Sequence, residues 1–340
     1  MGEYPQREVF GRLNDGTEIE RVRLKAGGLE VAVLSYGAAI QDLAVVSPTG
    51  PRSVVLGLRT LDDYVQYSPH MGAIAGRFAN RIREGQFSLD GVGYQLTCNE
   101  KGRNHLHGGS RGFGRRAWAI DDLTDDSVRL KLASEAGEEG YPGRVEVTVS
   151  YRIDEPLQLS LELTAVADAP TIINLAGHSY FNLSGGGDAR DHSLEILADH
   201  YLPVDAYQIP TGEIHAVAGT AFDFRSERRV RGDVPTRYDH TFVASMAASA
   251  EPRCMARLTA PDSSIALEVW STEPGVQFYD GGNVSVPVPG RDGHHYGPFS
   301  GLCLEPQRFP DSPNHPGFTN VVLRPGEAYR QVTEYRLSTG

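Results

Sequence analysis

The segment Leu175-Ala176-Gly177-His178-Ser179-Tyr180-Phe181-Asn182-Leu183 sets one histidine among aromatic, hydroxyl and amide side chains. A second segment, Leu302-Cys303-Leu304-Glu305-Pro306-Gln307-Arg308, ends an apolar run on a carboxylate. Imidazole and carboxylate are side chains that pass protons readily near neutral pH. If His178 and Glu305 meet across one pocket, they form an acid/base pair that needs neither metal nor organic cofactor. Opening and closing a cyclic hemiacetal is chemistry of that kind. Both residues also have plainer uses. A lone histidine can satisfy itself against a backbone carbonyl, and Glu305 can pair with Arg308. The residues alone leave both uses open for His178, and the position of Glu305 alone favours the plainer one, although two features suit the chemical use. Gly177 allows close approach of backbone or ligand, and a carboxylate beside buried positions has a raised pKa, which suits a general base.

Other stretches offer binding groups. Gly76-Arg77-Phe78-Ala79-Asn80-Arg81-Ile82 places two arginines and an amide in an apolar context. The rigid guanidinium fork matches hydroxyls or a carboxylate. Asn104-His105-Leu106-His107-Gly108-Gly109 alternates two histidines before releasing the backbone. His-x-His can bind metal, but no third ligand follows at a telling spacing, so no metal site is expected. Gly108-Gly109-Ser110-Arg111-Gly112 matches the nucleophile-elbow pattern in form, yet Phe113-Gly114-Arg115-Arg116 is a poor helix start. A serine hydrolase is therefore not expected.

The elements that must hold these groups are strands. Val145, Val147, Val149, Tyr151 and Ile153 alternate with polar residues, a turn follows at Asp154-Glu155-Pro156, and Leu157 to Ala165 alternates again. That is a β-hairpin with one buried face. Shorter runs recur at Leu29–Leu34, Val128–Leu132, Leu194–Leu197 and Ile265–Trp270. Helix signals are scarce: Thr60 to Gln66 allows a turn or two, and Met246 to Met255 is short and broken by proline. The 38 glycines and 21 prolines are spread along the chain, as many turns between short strands require. No linker or repeat divides the chain, so residues 1–340 are read as a single large β-sandwich domain.

A net charge of −12 argues against nucleic acid and anionic membranes as partners. No apolar run approaches a membrane span. Met1 to Phe10 carries charges and a proline instead of the apolar stretch of a signal peptide. The three cysteines, Cys98, Cys254 and Cys303, fit neither a disulfide framework nor a zinc cluster. A reducing, cytoplasmic setting is expected.

Several motifs together resemble the aldose 1-epimerase (galactose mutarotase) family. In chain order they are GRFANRI (76–82), NHLHGG (104–109), EEGYPG (138–143), GHSYFNL (177–183), YLPVD (201–205) and IPTGE (209–213). GTAFDFR (219–225), YDH (238–240), PGVQFY (274–279), LCLEPQRFPDSPN (302–314) and LRPGE (323–327) follow. The resemblance implies an all-β fold, a large antiparallel β-sandwich of the galactose mutarotase-like supersandwich type with one open cleft. It implies His178 as the acid that protonates the ring oxygen and Glu305 as the base that takes the C1 hydroxyl proton. Asn80, Arg81, His107, Asp239 and Gln277 are implied as sugar contacts. The expected partner is a small monosaccharide, bound by a monomer or homodimer without metal or cofactor.

The chemistry so implied needs a carboxylate Glu305 and a protonated His178 at the start, with Asp239 favouring the imidazolium. Two departures from the family pattern stand next to the pair: Gly177, where many relatives have Asn, and Pro306, where a small polar residue is usual. Both are expected to border the pocket. Rival readings are a hexose-6-phosphate 1-epimerase, with Arg77, Arg115 and Arg116 as phosphate ligands, and a non-catalytic carbohydrate-binding sandwich. A glycosidase with paired carboxylates has no motif behind it.

Overall fold

The computed structural model describes residues 4–47, 50–232 and 235–340. Its largest element is a nine-stranded antiparallel sheet built around the hairpin read from the alternation. Strands Val145–Asp154 and Gln158–Ala167 pair in unbroken register from Val145↔Ala167 to Asp154↔Gln158. Val145, Val147, Val149, Tyr151 and Ile153 are buried, as are Leu159, Leu161, Leu163 and Ala165 opposite them. The long strand Tyr329–Thr339 then pairs with Gln158–Ala167 on one side and Ile265–Ser271 on the other. The shorter expected strands form as Leu29–Leu34, Ser127–Ser134, Ser193–Ile196 and Ile265–Ser271.

A six-stranded sheet faces this one. It runs in the order Tyr180–Phe181, Leu302–Gln307, Gly275–Tyr279, Asp239–Val243, His200–Tyr201, His215–Ala216. A five-stranded sheet with strands within residues 6–47 and 50–53 joins the same core, which takes Leu24, Val31 and Leu43 from it. The nine-stranded sheet contributes Val147, Leu161 and Leu267, and the six-stranded sheet Val276, Phe278, Leu302 and Leu304. Residues alternate along a strand, so burying Leu302 and Leu304 against the core turns Cys303 and Glu305 the other way. The fold thereby commits one face of a central strand to the cleft.

One α-helix forms among the described residues, Leu61–Tyr67, with Thr60 Oγ1 accepting the Asp63 N–H at its start. Residues 246–255 form no helix; they turn and enter the strand Arg253–Thr259. No helix of the described residues is long and apolar enough to cross a membrane.

Candidate active site

His178 lies between two short strands, Ala176–Gly177 and Tyr180–Phe181. Its backbone is clamped by the preceding loop: His178 N donates to Ala73 O and Gly72 N donates to His178 O, each at 2.9 Å. Gly72 is needed there. Its φ is +68°, and a Cβ would come within 2.0 Å of Ile40 O. The imidazole stacks on Tyr180 with ring centroids 5.1 Å apart, and the Tyr180 hydroxyl donates to Pro69 O. Backbone and ring are held independently.

Glu305 comes from Leu302–Gln307, in register with Gln277 of the adjacent strand. Its Oε2 stands 3.6 Å from His178 Nε2, and both side chains are almost wholly buried. No protein group hydrogen-bonds Glu305 Oε2. A buried acceptor left open is costly, on the order of 1–3 kcal/mol. The expected pair has come together, with one oxygen free for a ligand.

Two of the implied sugar contacts, Arg81 and Asp239, line an open cavity, while Gln277 is in register with Glu305 and the His107 ring lies 5.1 Å from the His178 ring. Arg81 holds Glu100 through Nε and Nη2, and its Nη1 lies 3.5 Å from Asp239 Oδ2. Asp239 Oδ1 accepts from Gln277 Nε2 at 2.6 Å, and Gln277 Oε1 accepts from Thr241 Oγ1 at 2.6 Å. Burial alone would lower the Arg81 guanidinium, but Asp239 and Glu100 outweigh it and the net shift is upward. Asn80 and His107 lock one another: Asn80 N donates to His107 Nδ1 at 3.1 Å, and His107 N donates to Asn80 O at 3.0 Å. Both backbones sit at positive φ, +62° and +49°, strained positions that the reciprocal bonds hold. Because His107 Nδ1 accepts, its proton sits on Nε2, making it a neutral donor.

Electrostatics revise the expected resting state. Burial first, with Asp239 adding to it and Arg81 opposing, pushes the Glu305 carboxyl well above its ordinary range. Burial pushes His178 down to about 4, although a backbone hydrogen bond and Asp239 pull the other way. In the empty cleft burial therefore favours the neutral form of both groups. Burial opposes the expected imidazolium, and Asp239 only partly offsets it. The proton count is unchanged: neutral acid plus neutral imidazole holds one proton, as carboxylate plus imidazolium does.

Other expectations are corrected by placement. Arg77 is 1% exposed and spends its guanidinium on Ser134, Pro142 O and Gly143 O, so it reaches no rim. Arg116 pairs with Glu138. His105 turns away from His107, its nitrogens meeting Thr97 O and the Tyr141 hydroxyl. Gly177 does not border the cleft; a Cβ there would meet Leu161 Cδ2 at 3.1 Å and Tyr335 Oη at 3.3 Å. Pro306 alternates to the side opposite Glu305, and its carbonyl accepts from Gln331. Both departures face the sandwich interior. Ser110 of the elbow-like motif is exposed, followed only by a single 3-10 turn at Phe113–Arg115.

Motif reading missed three cleft residues. The His70 ring lies 4.8 Å from the His107 ring and 6.0 Å from the His178 ring, and burial lowers its pKa to about 3. Cys303 Sγ lies 3.6 Å from His178 Nδ1. Tyr279 is in register with both Cys303 and Asp239. Strand alternation two residues before Glu305 would have found Cys303; nothing local marks His70. Outward from Arg81, Asp239 and Tyr279 a cavity of about 660 Å³ opens, lined also by Glu100, Asn104 and Tyr207. Its size is ordinary for a small-molecule site.

A buried imidazole–carboxylate pair under a polar cleft, carried by an antiparallel β-sandwich, is the equipment of an acid/base carbohydrate isomerase. A sequence model described as aldose 1-epimerase matches residues 20–336. The chain is 42% identical to galactose mutarotase of Rattus norvegicus, over 98% of each chain. It is 36% identical to aldose 1-epimerase of Escherichia coli, over 91% of this chain and 92% of that one. The structure overlays that of a C. elegans aldose epimerase homologue with a TM-score of 0.88, at 30% identity, covering 94% of this chain and 98% of the other. The chain belongs to the aldose 1-epimerase family.

Proposed function

We propose that the chain interconverts the α and β anomers of free aldoses, galactose and glucose among them. The observation that carries this reading is the 3.6 Å approach of His178 Nε2 to Glu305 Oε2, both buried, with Gln277 in register with Glu305 and bonded to Asp239. Relatives named galactose mutarotase and aldose 1-epimerase support it.

The bound sugar brings its C1 hydroxyl to Glu305 and its ring oxygen to His178. With the pair's one proton on His178, Glu305 takes the C1 hydroxyl proton while His178 protonates the ring oxygen. The C1–O5 bond breaks and an aldehyde forms. Glu305 is then neutral and His178 neutral, the distribution that burial favours in the empty cleft. The site is therefore matched to the open-chain intermediate, and the cyclic sugar's own hydroxyls and Arg81 must draw the proton onto His178 at the start. Rotation about C1–C2 presents the other aldehyde face, and reclosure returns both protons. His107 Nε2–H and Arg81 donate to sugar oxygens, and Asp239 and Gln277 fix the orientation.

Polarimetry on freshly dissolved α-D-galactose and α-D-glucose tests this. The expected result is a faster approach to the same final rotation, lost in Glu305→Gln. No acceleration with either sugar or with other free aldoses would overturn it.

A further inference from the structure

His178, Cys303 and Glu305 each present a ligand atom, and these atoms lie within 4.8 Å of one another. We propose that the three form an inhibitory site for a thiophilic divalent cation, of which Zn²⁺ is the best match. The geometry has two independent parts. First, the separation of Cys303 Sγ from His178 Nδ1 is 3.6 Å. A tetrahedral Zn²⁺ with ordinary Zn–S and Zn–N bonds holds sulfur and nitrogen about 3.6 Å apart. Second, Glu305 Oε2 is buried and has no hydrogen-bond partner. An open carboxylate oxygen beside a nitrogen–sulfur pair supplies the third ligand.

Donor type selects the metal. One thiolate, one imidazole and one carboxylate suit Zn²⁺, whereas Mg²⁺ and Ca²⁺ demand oxygen cages that this site lacks. Glu305 now faces the other ring nitrogen, so a rotation of its side chain toward Nδ1 closes the coordination. The fourth position falls to water or a sugar hydroxyl. On binding, the Cys303 S–H bond is replaced by S–Zn and the thiol proton leaves to solvent, with no change in oxidation state. Any proton on Glu305 leaves with it. A bound ion occupies the lone pairs of both acid and base, so it stops turnover by competing with sugar.

The position of Cys303 follows from the strand. Two residues before Glu305 on an alternating strand, it must share the cleft face. Its neighbours on that face are Tyr180 and Tyr279, the residues in register with it.

The test titrates the purified protein with Co²⁺ in chelator-free buffer and follows absorbance, then repeats the titration with Zn²⁺ during mutarotation of α-D-galactose. One Co²⁺ per chain with a thiolate-to-cobalt band is expected, with the band lost in Cys303→Ser and diminished by excess galactose. Zn²⁺ should stop the parent reversibly, with EDTA restoring activity. The Zn²⁺ concentration for half-inhibition should rise about tenfold or more in Cys303→Ala. A cobalt complex without the thiolate band, or equal Zn²⁺ sensitivity of parent and Cys303→Ala, would overturn the proposal. The absorbance arm stands whether or not the protein turns over any sugar.

Discussion

The hairpin Val145–Asp154/Gln158–Ala167 and the strand Leu302–Gln307 are both antiparallel and both central to their sheets, yet they are built on opposite terms. The hairpin buries one face of branched and aromatic side chains and sends its charges to the other. Every residue of Leu302–Gln307 is buried, including Glu305 and Gln307. Glu305 Oε2 and both polar atoms of the Gln307 side chain have no partner in the protein. The difference shows where stability is made and where it is spent. Each buried side chain of the hairpin contributes about 1.5–3 kcal/mol, which offsets polar groups held dry and open around the cleft.

Breaking that division should produce separable effects. The largest is on turnover. Glu305→Gln should lower kcat for galactose by about 10²–10⁴-fold, while the urea midpoint stays close to the parent's. Burial favours the neutral carboxyl in the empty cleft, and an amide of the same shape replaces it. A large loss of stability in this variant would erase the contrast.

The reverse change acts on the hairpin. Leu163 is fully buried opposite Val149. Leu163→Ala should cost about 2–5 kcal/mol in urea unfolding and leave the galactose rate at 25 °C within about twofold. Matching losses of rate and stability would show that the core also tunes the cleft.

A smaller effect tests a carboxyl just upstream of the Gly275–Tyr279 strand. Glu273 is fully buried with neither oxygen hydrogen-bonded and Oε2 3.9 Å from Arg308 Nε, and burial raises it to about 7 although Arg308 and Arg253 oppose. A carboxyl raised on folding is protonated in both states below the unfolded value of about 4.5, so it costs nothing there. Between about 4.5 and about 7 the folded state holds a proton that the unfolded chain has released, so the cost grows across that window and levels off above it. Glu273→Gln should therefore gain about 1–3 kcal/mol at pH 8 and none at pH 4, read from unfolding at the two pH values.

The smallest effect is a shift of pH limbs. A productive pair holds one proton, so adding a second to His178 stops it, and the acid limb of kcat/KM should fall near pH 4. Asp239 raises both His178 and Glu305. Asp239→Asn should then move both limbs to lower pH, whatever it costs in sugar binding. Limbs that stay in place would remove Asp239 from the electrostatics of the pair.

The same contrast explains what could be read in advance. The hairpin was legible because one buried face imposes period two over ten residues on each strand. Leu302–Gln307 is buried on both faces, so its pattern flattens and Cys303 passes for core. The strands around His178 and Arg81 are two residues long, too short to show any period. His178, Glu305 and Arg81 were found through motifs, Asp239 and Gln277 through family resemblance alone. His70 lies on a loop whose path depends on Gly72 and on contacts with residues far along the chain, and no local signal marks it. The depth of burial that opposes a charged His178 is likewise invisible in the sequence.

The most direct measurement is equilibrium exchange NMR between the α and β anomeric protons of galactose, with His178→Asn, Glu305→Gln and the double variant. If the two groups pass one proton between them and the sugar, each single variant should lose nearly all exchange and the double should be no slower than either. Losses that multiply, or a single variant that keeps most of the exchange, would contradict a shared acid/base pair.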